Sequence, residues 1–88
     1  MVGNRALVRG NVARGNASVG IGAGAENRVE ENESTGNGTG IRVDGINNLL
    51  VKNSVSANTT EYSIVGGNKV GAISTDPLTA GPWANFDL

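Results

Sequence analysis

An all-β solenoid of about three 21-residue turns is the fold class that the sequence predicts, and three observations predict it. Asparagine recurs at a fixed spacing: Asn11, Asn32 and Asn53 lie 21 residues apart, and so do Asn16, Asn37 and Asn58. A third column, Asn27, Asn48 and Asn68, keeps that spacing to within one residue. Between the asparagines, apolar and polar residues alternate, the pattern of half-buried strands. Glycine and asparagine stand too close together for a helix. A unit of this length cannot bury its inner face alone and must stack on its neighbours.

Each turn is expected to hold three short strands and three corners. Val8, Val29, Leu50 and Val70 form an apolar column that points inward in the first strand. The next column, Arg9, Glu30, Val51 and Gly71, is mixed and is expected to face solvent. Asn11, Asn32 and Asn53 close this strand. The second strand is centred on Ala13, Ser34 and Val55, and Gly15, Gly36 and Ala57 precede the second asparagine column. Glycine and asparagine suit these corners because both tolerate left-handed backbone angles. The third strand is expected to begin at Ile21, Ile41 and Tyr62, with Ala23, Val43 and Ile64 also inward and Gly22, Arg42 and Ser63 outward. The first turn carries one extra residue before Ile21. Stacking pairs each strand in parallel with its equivalent about 4.8 Å away. It also brings each asparagine amide within reach of the next, satisfying corner groups that are costly to bury unpaired.

The pattern fades after Asn68. Ile73 stands where an asparagine is due, and Pro77, Pro82, Trp83 and Phe86 follow. Proline cannot donate to a strand ladder. Residues 1–73 are therefore assigned to the turns and 74–88 to a C-terminal capping tail, with Trp83 and Phe86 large enough to cover the last turn.

Composition narrows the function. The chain of 88 residues has no histidine and no cysteine, and its net charge is −1. Thiolate metal sites, disulfides and the commonest general base are excluded. Scattered basic residues argue against nucleic acid. No apolar run approaches the roughly 20 residues of a membrane-spanning helix, and no signal-peptide pattern follows Met1.

The segments Asn27 to Asn32, Asn37 to Ile41, Asn48 to Asn53 and Asn58 to Ile64 resemble the right-handed parallel β-helix family, in particular its asparagine-rich pectate-lyase-like and NosD-like members. The resemblance covers roughly residues 8–73. It implies a right-handed helix with an asparagine ladder, here Asn11, Asn32 and Asn53. It also implies a secreted or periplasmic setting, an association with polysaccharide, and a groove along the strands at residues 21–23, 41–43 and 62–64. Family members usually have more turns, so the chain is expected to be the C-terminal part of a longer solenoid.

Arg42, with Asp44 and Glu61 near the strand ends, is the candidate carbohydrate-binding group on that groove; a solvated surface with a weak ion pair competes with it. Glu26, Glu30, Glu31 and Glu33 suggest calcium, but alternation sends Glu30 and Glu31 apart. Stacking is expected to set Arg9 beside Glu30 and Lys52 beside Glu31, a ladder of opposite charges. Asn16, Asn32, Asn37 and Asn58 begin formal glycosylation sequons, yet their ladder positions favour a structural role. Gly20 to Gly24 precedes no helix, which removes a phosphate loop. The aspartate clusters and basic residues of the family's enzymes find no match.

No catalytic residue, metal or cofactor is assigned. The expectation is a non-catalytic structural or interaction module. The alternative is a piece of a polysaccharide-active enzyme (lyase, hydrolase or epimerase) whose active turns lie upstream. The first turn is expected to expose unpaired backbone groups and the apolar edge of Val8, Ala13 and Ile21, and to self-associate there, head to head or by lateral packing.

Overall fold

The computed structural model describes residues 5–75 and 81–88. Among them there is no helix, and every paired strand runs parallel to its neighbour. The architecture is a parallel β-solenoid of about three turns, in three sheets. The first sheet stacks β1 (Leu7–Arg9), β4 (Arg28–Glu30), β7 (Leu49–Val51) and β10 (Lys69–Val70) in that order. The third stacks β3 (Val19–Ala23), β6 (Thr39–Val43) and β9 (Thr60–Ile64).

The second sheet departs from chain order. It runs β2 (Val12–Arg14), β5 (Glu33–Thr35), β8 (Ser54–Ser56), then β12 (Asn85–Asp87), and only then β11 (Ile73–Ser74). A strand from the last residues lies between two strands that precede it in the chain.

The registers follow the asparagine period. Val8 pairs with Val29 and Val29 with Leu50; Ala13 pairs with Ser34 and Ser34 with Val55. In the third sheet, Ile21 meets Ile41 and then Tyr62. The extra residue of the first turn is absorbed just before β3. The Gly38 amide donates to the Asn16 carbonyl and the Thr39 amide to the Ser18 carbonyl, so Ala17 is stepped over. The core is the inward column of all three sheets: Val8, Ile21, Ala23, Val29, Ile41, Val43, Leu50 and Val55, with Ala13, Tyr62 and Ile64 packed against it.

Four expectations need correction. Third-sheet strands begin two residues earlier than expected, at Val19, Thr39 and Thr60, because Val19 already pairs with Thr39 and Thr39 with Thr60. Glu30 and Val51 do not face solvent; both are buried. Arg28 pairs with Glu30 at 3.2 Å. Beside Val51, the Lys52 amide donates to the Ala84 carbonyl, and a Cβ on Gly71 would collide with the Trp83 carbonyl oxygen. The tail therefore lies over this column. Trp83 itself is 56 % exposed and does not close the last turn; Lys52 Nζ sits 4.8 Å from its ring centre. Phe86 is partly buried within β12. Pro77 lies outside the described residues, as do Met1 to Asn4.

The last correction concerns the corners. The left-handed residue is the one before each asparagine of the three repeating columns, whatever its type, and Arg5 holds the same place before Ala6. These are Gly10, Glu31 and Lys52 at the first corner, Gly15, Gly36 and Ala57 at the second, and Arg5, Glu26, Asn47 and Gly67 at the third. Left-handed backbone costs a residue with a Cβ roughly 1–2 kcal/mol. Six non-glycine residues adopt it here, so the corner geometry is imposed by the stack and not by local preference.

Candidate functional site

The three corners carry the polar chemistry of the chain. At each, the asparagine Oδ1 accepts from the preceding turn; Nδ2 of Asn32, Asn53 and Asn48 reaches in both directions, while Asn37 Nδ2 donates to the Ala13 carbonyl and to Ser34 Oγ. Asn32 illustrates the set. Its Oδ1 accepts the Asn11 backbone amide and Asn11 Nδ2, both at 3.0 Å. Its Nδ2 donates to the Val8 carbonyl at 2.8 Å and to Asn53 Oδ1 at 2.9 Å. Asn53 repeats this one turn on, donating to Val29 and to Asn85 Oδ1.

The same bonds recur elsewhere. At the third corner, Ala6 and Asn27 donate their backbone amides to Asn27 Oδ1 and Asn48 Oδ1, and Asn48 donates its backbone amide and Nδ2 to Asn68 Oδ1. At the second corner, Asn16 donates its backbone amide and Nδ2 to Asn37 Oδ1, and Asn37 its backbone amide to Asn58 Oδ1. Asn27, Asn32, Asn37, Asn48, Asn53 and Asn85 are all buried. Burial of Asn32 and Asn37, with their amide nitrogens engaged, supports a structural role for these sequons.

Asn85 extends the first ladder from outside the repeat. It stands 32 residues after Asn53, not 21, so no periodicity argument finds it. Ile73, the in-phase residue, pairs with it one strand further out.

Glu61 terminates the second ladder. Its Oε1 accepts the Asn58 backbone amide at 2.7 Å, as the next asparagine Oδ1 would. A Cβ at the aligned Gly40 would meet Asn58 Nδ2 at 2.7 Å, and one at Gly20 would meet Asn37 Nδ2 at 2.5 Å. These two positions need glycine because the asparagine of the following turn fills the space. No described asparagine continues this ladder beyond Asn58, and a glutamate side chain fits there. Glu61 Oε2 is buried without a hydrogen-bond partner.

The three candidate carbohydrate-binding residues therefore do not converge. Arg42 and Asp44 pair on the outer face of the third sheet, Nε to Oδ1 at 2.9 Å. Glu61 directs its carboxylate into the second corner. The other charges pair across or along strands: Arg5 with Glu26, Arg9 with Glu31 and Arg14 with Glu33. Arg9 thus meets Glu31 rather than Glu30, which Arg28 holds, and Lys52 turns to Trp83 rather than to Glu31. Exposed pairs of this kind contribute about 0–1 kcal/mol each. Among the described residues no group of three acidic side chains is placed to hold a metal ion.

Tyr62 closes the interior near the tail. Its hydroxyl donates to the Phe86 carbonyl at 2.9 Å. Burial, helped by Asp87 and Glu61, pushes its pKa well above the usual tyrosine value.

The opposite end of the stack is open among the described residues. β1, β2 and β3 each have a neighbour on one side only. A hollow of about 280 Å³ lies there, lined by Val8, Asn11, Ala13 and Ile21 among others. Leu7 and Val12 are more than half exposed beside it. Asn11 and Asn16, the first members of their ladders, donate Nδ2 to the next turn, and no described residue donates to their Oδ1 atoms.

Fold and corners together define a class: a parallel β-solenoid stapled by three asparagine ladders. Compared with protein-family models, curated proteins and solved structures, the chain matches none.

Proposed function

We propose that the chain is a non-catalytic structural module, a right-handed parallel β-helix of the pectate-lyase-like and NosD-like kind, that associates through its N-terminal turn. The open edge of β1, β2 and β3 carries this reading. A strand edge with unpaired backbone groups recruits another chain unless it is blocked by proline, charge or a covering element. Here the edge also offers apolar side chains and the two asparagine acceptors. Arg5, Arg9 and Arg14 bring charge, but each is already held by a glutamate. A head-to-head pair would bury this surface about a two-fold axis and stop there. The carbohydrate association implied by the resemblance would fall on the third sheet's outer face, at Arg42 and Asp44.

Sedimentation equilibrium across a concentration series tests the association. The wild type is expected to exceed the monomer mass as concentration rises, and Val12→Lys, a change at an exposed edge position, to stay monomeric. A wild-type chain of unchanged monomer mass at high concentration, with its β circular dichroism intact, would overturn the proposal.

A further inference from the structure

The out-of-order strand in the second sheet defines a binding slot. We propose that the gap between β8 and β11 is a strand-binding site selective for asparagine at the position of Asn85, and that its exchangeable occupant is the 81–88 segment of a second copy.

The slot is one strand wide. β11 pairs with β12, and β12 with β8. Withdrawing β12 leaves β8 and β11 about two strand spacings apart, near 9.6 Å, too far to pair directly. The occupant is held from both sides. The Phe86 amide donates to the Asn53 carbonyl at 2.7 Å, the Leu88 amide to Val55 at 2.8 Å and the Asn85 amide to Ala72 at 2.8 Å. The Lys52 amide donates to the Ala84 carbonyl at 3.1 Å.

Selectivity resides in one side chain. Asn85 Oδ1 accepts from the Asn53 amide and from Asn53 Nδ2, and Asn85 Nδ2 donates to the Leu50 and Gly71 carbonyls. β11 cannot replace β12, because Ile73 would bring no amide to Asn53. The buried Asn53 backbone amide would remain unpaired, a penalty that a hydrogen-bonded partner avoids. The slot thus rejects the strand that chain order would supply and takes one carrying asparagine in register. An identical segment from another copy makes identical bonds, so exchange requires no new contact.

The probe is a fluorescent synthetic peptide of residues 81–88. The wild-type chain is expected to bind none at micromolar peptide, since its own tail competes at an effective concentration of about millimolar. The full-length Asn85→Ala chain, its own tail weakened, is expected to bind the peptide saturably. A peptide carrying the same Asn85→Ala change should bind at least about tenfold more weakly, the factor expected for lost buried hydrogen bonds. An Asn85→Ala chain that is folded by circular dichroism and binds neither peptide, or both equally, overturns the proposal.

Should that variant not fold, hydrogen exchange on the wild type decides. The Lys52, Phe86 and Leu88 amides are expected to exchange as one group, ahead of those of β4 and β5. Exchange only with the whole molecule would overturn the proposal. A dimer formed on annealing at high concentration should survive Val12→Lys, which removes association at the N-terminal edge. A dimer that Val12→Lys abolishes belongs to that edge and counts against exchange.

Discussion

Replacing Asn53 by alanine tests the ladder at its most connected point. Asn53 is fully buried. Its side chain takes part in four hydrogen bonds: from the Asn32 amide and Asn32 Nδ2, to the Val29 carbonyl, and to Asn85 Oδ1. Each typical bond contributes about 1 kcal/mol net, and an orphaned buried donor costs about 1–3 kcal/mol more. The Asn32 amide would become such a donor. The expected loss is about 5–7 kcal/mol on these values. A domain of this length has a total stability of about 4–13 kcal/mol, so the variant would be marginal. The comparison is Asn16→Ala. Asn16 is exposed in the first turn, and its side chain contributes the single bond from Nδ2 to Asn37 Oδ1, so its loss is about 1 kcal/mol. Urea unfolding followed by circular dichroism measures both; at a slope of about 1–2 kcal/mol per M, the midpoints should differ by about 2 M or more. Equal losses in the two variants would refute the ladder as the source of stability.

Three further outcomes follow from single residues. Ala57 has φ 55° at a corner whose equivalents are Gly15 and Gly36; Ala57→Gly should raise the urea midpoint, stabilising the fold by about 1 kcal/mol. Gly40→Ala should destabilise by about 1–3 kcal/mol in the same assay, because its Cβ would lie 2.5 Å from the Glu61 carbonyl oxygen. The Tyr62 phenol is held neutral, its pKa raised by burial and by Asp87 and Glu61. Its contribution is complete below the unfolded tyrosine pKa near 10 and is lost as pH rises through the folded value. Stability should therefore fall above about pH 10 in the wild type, and this fall should be shallower in Tyr62→Phe, as followed by urea unfolding between pH 9 and 12.

The fold was legible because the ladder asparagines and the inward columns obey one spacing. Val8, Val29 and Leu50 align in the structure as they do in the sequence. What was not legible lies off that spacing. Asn85 joins the first ladder 32 residues after Asn53, and only the three-dimensional return of the tail brings it there. The left-handed corner residues include glutamate, lysine and alanine, types with no local preference for that conformation, so the stack alone assigns them. Glu61 was seen as an acid near a groove. Its place at the end of the second ladder depends on the absence of a further described asparagine above Asn58, which strand spacing alone does not reveal. Arg42 and Asp44, two residues apart on one strand face, form the exposed ion pair that competes with the sugar-binding reading.

The claim that the N-terminal turn is the interaction surface is tested most directly by residue-resolved NMR on a concentration series. ¹H–¹⁵N correlation spectra of the wild-type chain should show concentration-dependent shifts concentrated in β1, β2 and β3 (residues 7–9, 12–14 and 19–23), with β9 and β10 unmoved. Shifts concentrated at the other end of the stack, or spectra unchanged up to millimolar protein, would contradict it.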